Sequence, residues 1–396
     1  MRRAGKALSG PNLRFPEFCG EWETIKVSEL LDFYSTNSLS WEQLDYSNGK
    51  IKNLHYGLIH KGVPTMVDVA CDSLPYIKEE SMLKSFTLFK EGDVAFADAS
   101  EDTNDVAKAI EVVNCDNQQI VSGLHTIHGR DNSNRTVIGY KGYAFASDSF
   151  HKQIRRIAQG TKVFSISVRN FDEAYIGIPS KEEQTQIAKL LITIDKRIAT
   201  QNKIIEDLKK LKSAISLNVL HSDTWEQFKI KDIAKIGRGR VISSIEISQQ
   251  KNPTYPVYSS QTSNNGIMGY LDDYMFEGEH ISWTTDGANA GTVFYRNGKF
   301  NCTNVCGLLK FRKEFDTYFV SLVLAEATKK YVSINLANPK LMNNTMGNIQ
   351  IRLPKLEEQK RISIVFRELQ KLWTVHNSLL TKYTKQKQYL LSQMFI

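Results

Sequence analysis

The side chains that could carry out catalysis do not stand in the spacings that catalysis requires. Residues 252–255 read Asn-Pro-Thr-Tyr, whereas methyl transfer to an amino nitrogen uses Asn-Pro-Pro-Tyr and a glycine-rich loop for S-adenosylmethionine. Residues 237–240 read Gly-Arg-Gly-Arg and lack the third glycine of a dinucleotide-binding loop. The sequence also contains no phosphate loop of the form Gly-x-x-x-x-Gly-Lys-Ser/Thr. We therefore expect residues 252–255 to be a loop that leads into a strand.

The histidines and cysteines do not form a metal-binding pattern. Cys302 and Cys306 are a single thiol pair, whereas a structural zinc site takes its remaining ligands from a second pair. His125 and His128, like His55 and His60, lack a glutamate in the spacing of zinc-dependent proteases. The odd number of cysteines, five, fits reduced thiols in a cytoplasmic protein. The sequence predicts no catalytic residue, metal or cofactor in this chain, and favours a recognition or scaffold protein.

Two long segments instead carry small polar residues on glycine-bearing loops. Asn, Gln, Ser and Arg pair with the edges of bases, and glycine lets a loop approach phosphate closely. The same residues also make ordinary turns. The net charge of +8 permits binding to a polyanion and equally suits a basic protein without one. The candidate residues for such contacts are Tyr56, His60, Lys61 and Asn104 in the first segment, Gln261, Asn264, Asn265 and Asn289 in the second, and Arg238 and Arg240 for phosphates.

A long helix is predicted after each polar segment, and the two helices are copies of one another. Residues 176–184 resemble residues 351–359, with Pro179 aligned to Pro354, and Ser180 with Glu183 forms a capping box. Apolar residues then recur at intervals of 4, 3 and 4, which is the spacing of a coiled-coil seam. We predict that the helices pack together along this seam, with Ile198 and Trp373 buried. The aligned seam residues are Ile187, Leu191, Ile194, Ile198, Ile205, Leu208 and Ile215 in the first helix, and Ile362, Phe366, Leu369, Trp373, Leu380, Tyr383 and Leu390 in the second.

A second repeat marks the start of each polar segment, because residues 20–30 resemble residues 222–233 with Trp22 aligned to Trp225. The chain of 396 residues is thus one frame written twice. Strand-like runs lie between the repeats, so we predict an α+β protein. The predicted parts are an N-terminal arm (residues 1–19), body 1 (20–178), a central helix (179–222), body 2 (223–353) and a C-terminal helix (354–396).

This double frame resembles the specificity subunit of type I restriction-modification systems over essentially the whole chain. The resemblance is carried by the two Pro-x-x-Glu-Glu-Gln helix openings, the two Trp-Glu starts, residues 286–295 (Asp-Gly-Ala-Asn-Ala-Gly-Thr-Val-Phe-Tyr) and residues 171–179 (Phe-Asp-Glu-Ala-Tyr-Ile-Gly-Ile-Pro). It implies two mixed α/β target-recognition domains separated by two long antiparallel coiled-coil helices in a pseudo-two-fold repeat.

The resemblance also implies a function. Each body would read one half of a split DNA target, while the helices would set the distance between half-sites and dock two methyltransferase subunits. Those subunits would hold S-adenosylmethionine and methylate adenine N6, and two restriction subunits using ATP and magnesium would add cleavage. The chain would be a non-catalytic, cytoplasmic protein without a membrane segment. Two alternatives stay open: a stand-alone or fused DNA methyltransferase or nuclease, and a coiled-coil scaffold with no role on DNA.

Overall fold

The structure, a computed structural model, describes residues 10–83, 85–333 and 338–396. The chain divides into two units: unit 1 comprises residues 1–202 and 378–396, and unit 2 comprises residues 203–377. The division falls inside both long helices, so each unit contains one body and a part of each helix. Residues 1–9 of the predicted arm lie outside the described residues. None of the described helices is both long and apolar enough to cross a membrane.

Unit 1 combines short strands with short helices before the first long helix begins. Its elements are β1 (Glu23–Lys26), α1 (Val27–Leu30), β2 (Asp32–Tyr34), β3 (Leu44–Asp45), β4 (Ile51–Leu54), α2 (Tyr56–Lys61), β5 (Met66–Asp68), β6 (Tyr76–Ile77), β7 (Val94–Ala97), β8 (Ala99–Ser100), β9 (Ala109–Asn114), β10 (Gln119–Ser122), β11 (Thr126–Arg130), α3 (Tyr140–Phe145), α4 (Asp148–Ile157), β12 (Phe164–Ser165), β13 (Tyr175–Ile178) and the first part of α5 (Lys181–Val219).

Unit 2 has the same kind of composition, and the predicted α+β class is confirmed in both units. Its elements are the end of α5, β14 (Glu226–Lys229), α6 (Ile230–Ile233), β15 (Ala234–Arg238), α7 (Ser244–Ser248), β16 (Tyr255–Tyr258), β17 (Ile267–Leu271), β18 (Phe276–Glu277), β19 (His280–Thr284), β20 (Val293–Arg296), β21 (Lys299–Cys302), β22 (Cys306–Phe311), α8 (Thr317–Ala327), α9 (Asn343–Asn348), β23 (Gln350–Leu353) and the first part of α10 (Leu356–Gln393).

The two bodies share one strand order, although their sequences differ. Body 1 contains the antiparallel order β2-β11-β7-β9, and body 2 contains the antiparallel order β15-β22-β19-β20. We call β11 and β22, which occupy the same place in this order, the central strands. The strand that precedes each of them in sequence pairs in parallel with an earlier strand, β10 with β4 and β21 with β16. Body 1 adds β5 beside β9, and its longer connection, residues 55–93 against 259–279, holds much of its extra length. The repeat therefore extends into the bodies.

The two sequence repeats meet in each unit. The strand that carries the Trp-Glu start, β1, pairs antiparallel with β13, which leads into the first long helix. In unit 2, β14 pairs with β23 in the same way, and β23 leads into the second long helix. Each body is thus closed by a two-stranded ribbon at the point where its long helix begins.

The repeated glutamine fixes each long helix to the turn before it. The side-chain amide of Gln184 donates to the carbonyl of Pro179 over 2.9 Å, and that of Gln359 donates to the carbonyl of Pro354 over 2.8 Å. The side-chain oxygens of Gln184 and Gln359 accept backbone N–H groups of Val137 and Asp316, respectively. Both glutamines are buried. Because a buried polar group must find a partner, this motif ties the helix to its own body.

The predicted apolar seam begins in the core of each body rather than between two helices. Ile187, Leu191 and Ile194 are buried in the core of unit 1, and Ile362 and Phe366 are buried in the core of unit 2. Farther along the helices the seam is less covered. Ile205 and Leu390 are buried, whereas the partly buried seam residues are Ile198, Leu208, Ile215, Leu369, Leu380 and Tyr383.

The prediction that Trp373 is buried is wrong. Its side chain is 37% exposed and lines a groove with Leu208, Leu369 and Lys212. The seam leaves the body at this point, so the body no longer covers the helix face. In unit 1 the two long helices are antiparallel where they contact each other, because Asp195 binds Lys387 and Arg197 lies over the Tyr383 ring.

Candidate nucleic-acid interface

The turn between β21 and β22, residues 303–305, is the point where the polar loops of body 2 meet. The backbone N–H of Thr303 donates to the carbonyl of Tyr258 over 2.9 Å. The backbone N–H of Asn304 donates to the carbonyl of Arg240 over 3.0 Å. The turn therefore joins the segment after β15 to the end of β16. Asn304 itself is exposed.

The same turn also holds two further loops. The carbonyl of Val305 accepts the hydroxyls of Ser260 over 2.8 Å and of Thr285 over 2.7 Å. The backbone N–H of Leu341 donates to the carbonyl of Thr285 over 2.8 Å, which adds the segment before α9. Five separate segments thus form one polar edge of body 2, and we call it edge 2 (residues 238–240, 259–266, 285–291, 303–305 and 338–343).

The predicted residues of the 259–266 loop divide into one that shapes the loop and two that are exposed on it. The Gln261 side-chain amide donates to the carbonyl of Ile267 over 2.5 Å, so its donor is used inside the loop. Asn264 and Asn265 adopt left-handed backbone angles, with φ of 46° and 53°, and both are exposed. Asparagine tolerates this conformation better than most residues. The Asn264 side-chain amide donates to the Ile267 carbonyl over 3.4 Å, whereas the Asn265 side chain has no hydrogen bond to a residue that the structure describes.

The remaining predicted residues of edge 2 differ in how many hydrogen bonds their side chains already make within the protein. The Arg238 guanidinium donates to Asn343 Oδ1 over 2.9 Å and to the carbonyl of Asn304. Arg240 pairs with Glu246, and the hydrogen bond that it donates to that carboxylate raises the pKa of Arg240. A phosphate would have to compete with this carboxylate for Arg240. Asn289 is exposed in the 285–291 loop.

A buried arginine lies beneath the loop of edge 2, and sequence reasoning missed it. Arg296 is 2% exposed, its Nε donates to Ser282 Oγ over 2.9 Å, and its guanidinium lies 3.6 Å from the centre of the Tyr258 ring. Neither Nη atom has a hydrogen-bond partner among the described residues. Burial lowers the pKa of Arg296. Its position on a strand gave no signal, because its neighbours come from distant segments.

Body 1 contains an equivalent edge around the turn between β10 and β11. The backbone N–H of Gly123 donates to the carbonyl of Leu54 over 2.9 Å, in the same way that Thr303 binds Tyr258 in body 2. His125, with φ of 54°, accepts the backbone N–H of Asp98 at its carbonyl over 3.1 Å. We call the segments that meet here edge 1 (residues 37–43, 53–61, 98–100 and 122–126).

Edge 1 differs in chemistry, because it carries a cluster of aromatic and histidine rings. The Tyr56 ring lies 4.7 Å from His55, 5.3 Å from His125 and 5.9 Å from His60, measured between ring centres. The exposed Trp41 lies 4.4 Å from His55. Burial, and to a lesser extent the charge of His125, lower the pKa of His55. The structure thus brings together the predicted Tyr56 and His60 and adds Trp41, His55 and His125, which were not predicted to contact DNA.

The other two predicted residues of body 1 stand apart from this cluster. Lys61 is exposed at the last position of α2. The Asn104 side-chain amide donates to Asp102 Oδ1 over 2.9 Å, and its oxygen accepts Arg155 Nη1 over 3.0 Å. Among the described residues no hydrogen bond or ring contact joins Asn104 to Tyr56 or His60. Its amide is therefore engaged in its own loop.

The cysteines of body 2 contribute to the fold around edge 2. Cys302 and Cys306 are buried on either side of the 303–305 turn, and the Cys302 thiol donates to the carbonyl of Cys306 over 3.4 Å. Within residues 10–83, 85–333 and 338–396 no group of three or more His, Cys, Asp or Glu side chains is placed to hold a metal ion.

Comparison with known proteins identifies what this arrangement belongs to. The family described as "Type I restriction modification DNA specificity domain" matches residues 20–210 and 222–382. The putative type I specificity subunit S.MpnORF289P N-terminus of Mycoplasma pneumoniae is 46% identical over 140 residues, which are 35% of this chain and 74% of that protein. The putative type I specificity subunit S.MpnORF365P of the same organism is 34% identical over 220 residues, which are 52% of this chain and 80% of that protein.

A solved structure shares the fold along nearly the whole chain. It is the crystal structure of the type I restriction-modification system S subunit from M. genitalium, with a TM-score of 0.69 and 16% sequence identity. The match covers 98% of this chain and 99% of that one. At this identity the likeness supports the fold.

Proposed function

The chain belongs to the family of type I restriction-modification DNA specificity proteins, and we propose that edge 1 and edge 2 each read one half of a bipartite DNA target. Its membership makes it a non-catalytic DNA-recognition subunit with two target-recognition domains, one in each unit. The observation that carries the proposal is the repeated turn. Two bodies with different sequences gather their polar loops around the same turn, before the same central strand.

The chemistry of the two edges supports different readings. Edge 2 presents the amides of Asn264, Asn265 and Asn289, and an amide can donate and accept at the adenine edge in the major groove. Edge 1 presents rings around Tyr56, which suit apolar contact or stacking as well as hydrogen bonds from histidine. Arg238 and Lys61 supply positive charge for phosphates. The overall charge of +8 adds an attraction that depends on salt.

The long helices would connect the two readings. Two readers on one chain bind more tightly than either alone, because the second contact is effectively intramolecular. We propose that α5 and α10 set the distance between the half-sites. The two repeats would dock two methyltransferase subunits, one at each repeat, because two identical partners require repeated surfaces. S-adenosylmethionine would be held by those subunits, which methylate adenine N6, and ATP and magnesium by two restriction subunits.

Exchange of one body tests the division of labour. Residues 224–353 are replaced by the corresponding body of another specificity subunit, and the methylated sites of a host that carries the complex are sequenced. We expect one half of the methylated sequence to change and the other half to stay. Exchange of residues 20–178 should do the reverse. A change in both halves after either exchange would overturn the proposal.

A further inference from the structure

The N-terminal arm binds the start of the first long helix through an arginine. Arg14 donates from Nε to Glu183 Oε1 and from Nη2 to Glu183 Oε2, both over 2.7 Å. Trp22 Nε1 donates to the same carboxylate over 3.3 Å, and Glu183 is only 1% exposed. Phe15 packs against the core of unit 1. A two-pronged bond between guanidinium and carboxylate is specific in geometry as well as strong.

The backbone of the arm also contacts the end of the second long helix. The N–H of Leu13 donates to the carbonyl of Gln393 over 2.9 Å. That carbonyl belongs to the last turn of α10, which has no later turn to supply a donor. The arm thus covers three features of unit 1: a carboxylate, a tryptophan and a helix end.

The same features recur in unit 2 without an arm. The residues equivalent to Glu183 and Trp22 are Glu358 and Trp225 in the second repeat. Glu358 is exposed, and its carboxylate has no hydrogen bond or ion pair with any residue that the structure describes. Trp225 is only partly buried. The reason is connectivity: α5 ends at Val219, and a short turn leads directly to Trp225, so no segment precedes it that could fold back.

Apolar side chains of the same repeat are exposed as well. Val365 is 47% exposed, whereas its equivalent Leu190 packs against the core of unit 1. Val365 lies seven residues after Glu358, so both occupy one face of α10. Leu217, in the last turn of α5, is 73% exposed and corresponds in position to Ser392. The second repeat therefore offers an exposed carboxylate together with exposed apolar side chains on α10 and at the end of α5, two helices that both pack side chains in the core of unit 2.

We propose that Leu217, Trp225, Glu358 and Val365 form a docking surface for an extended segment of a partner subunit that carries an arginine beside an aromatic residue. The arm of this chain shows which chemistry the repeated start accepts, because Arg14 and Phe15 occupy the equivalent surface in unit 1. The helix dipole stabilises a carboxylate in the first helical turn. Glu357 lies in the same turn and interacts with the dipole in the same way, so Glu357 is the matched control. The proposal rests on assembly with other subunits and is independent of which bases are read.

A peptide of residues 10–18 of this chain is the probe. It is labelled with a fluorophore and titrated with the full-length protein, and binding is followed by fluorescence anisotropy. We expect saturable binding of one peptide per chain. The substitution Glu358→Gln should weaken binding by about tenfold or more, because a charge-assisted bidentate bond is lost. The substitution Glu357→Gln should leave binding within about twofold. A peptide with Arg14→Gln should bind as poorly as the wild-type peptide binds to the Glu358→Gln protein.

Competition then tests the partner. Excess peptide should reduce the amount of methyltransferase subunit that co-purifies with the chain, and the Arg14→Gln peptide should not. Absence of saturable binding, or equal losses for Glu357→Gln and Glu358→Gln, would overturn the docking surface. Binding without competition would overturn its assignment to a partner subunit. Neither result depends on DNA, so failure of the half-site proposal would be seen separately in the methylated sequences.

Discussion

Lys387 Nζ lies 2.7 Å from the carboxylate of Asp195, and this pair joins the end of α10 to the first part of α5 in unit 1. The hydroxyl of Tyr143 donates to the same carboxylate over 2.7 Å, so α3 is held as well. Burial, with the negative charge of Asp195, raises the pKa of Tyr143, which therefore stays protonated as a donor. At the equivalent positions of the second repeat stand Gln370 and Lys212, which cannot form an ion pair.

This difference predicts an asymmetric effect of removing the lysine. Lys387→Met should destabilise unit 1 by roughly 1–3 kcal/mol, because a half-buried carboxylate loses a charged partner. Lys212→Met, at the equivalent exposed position, should change stability by less than about 0.5 kcal/mol. Urea unfolding with hydrogen exchange resolved by peptide would locate the loss. Equal effects of the two substitutions would show that the ion pair contributes nothing specific.

Phe366 and Trp373 both belong to the apolar seam, but their replacement should lower the free energy of unfolding by different amounts. Phe366→Ala should destabilise unit 2 by about 3–5 kcal/mol, because Phe366 is fully buried in its core. Trp373→Ala should cost about 1 kcal/mol or less in the isolated chain, since the tryptophan is 37% exposed in its groove. Thermal unfolding measures both. A larger cost for Trp373 than for Phe366 would contradict the burial described above.

The buried carboxylate of Asp93 predicts a dependence of stability on pH. Burial alone would raise its pKa, but hydrogen bonds from Arg130, over 2.7 and 2.8 Å, and from His128 hold the pKa below its usual value. A carboxyl with a lowered pKa in the folded state stabilises the protein above its unfolded pKa of about 3.9. This contribution is lost as the pH falls below that value and through the folded pKa.

Urea unfolding between pH 7 and pH 3 checks this expectation. The wild-type free energy of unfolding should decline below about pH 4. Asp93→Asn should be less stable at pH 7 by roughly 3 kcal/mol, because Arg130 loses its partner, and it should decline less steeply below pH 4. Asp207→Asn, on the exposed face of α5, serves as the control. If the free energy of unfolding of Asp93→Asn declined below pH 4 as steeply as that of the wild type, Asp93 would not be the source of the decline.

The loop of edge 2 predicts different phenotypes for neighbouring polar residues. Asn265→Ala removes an exposed amide and should relax one base position of the methylated sequence at a cost of about 1–3 kcal/mol in DNA affinity. Gln261→Ala removes the bond that shapes the loop, so several positions of the same half-site should be affected together. Methylation sequencing and binding titrations distinguish these outcomes. An unchanged motif and affinity in both variants would remove the 259–266 loop from the interface.

The frame of the protein could be predicted from sequence because its signals are local. The cap at Ser180 and Glu183 and the spacing from Ile187 onward lie within a few turns of one helix, and the first long helix begins at Lys181 as expected. The polar loops were also found, since Asn264 and Asn265 are residues that turns favour. What covers a residue was not predictable. Trp373 belongs to the apolar stripe but leaves the body that covers Phe366.

The strand order and the floor of edge 2 could not be predicted for the same physical reason. The strands contain two to six residues, and their partners are chosen by distant segments. Arg296 meets Tyr258 and Ser282 only after β16, β19 and β20 have assembled, so no spacing in the sequence marks it. The ring cluster of edge 1 is similar, because Trp41, His55 and His125 come from three loops.

The length of the helices is the most direct test of their proposed role. Insertion of four residues after Gln201, and of four after the equivalent His376, keeps the two helices in step. It lengthens each by roughly 6 Å at 1.5 Å per residue, which is close to two base-pair steps of about 3.4 Å. Four residues also rotate the remainder of each helix by about 40°, because a turn takes 3.6 residues, so total activity should fall.

The sites that are still methylated should contain the same two half-sites with a longer gap. A single insertion puts the helices out of step and should reduce methylation further. If the doubly extended protein methylates sites with the original gap, the helices do not set the spacing.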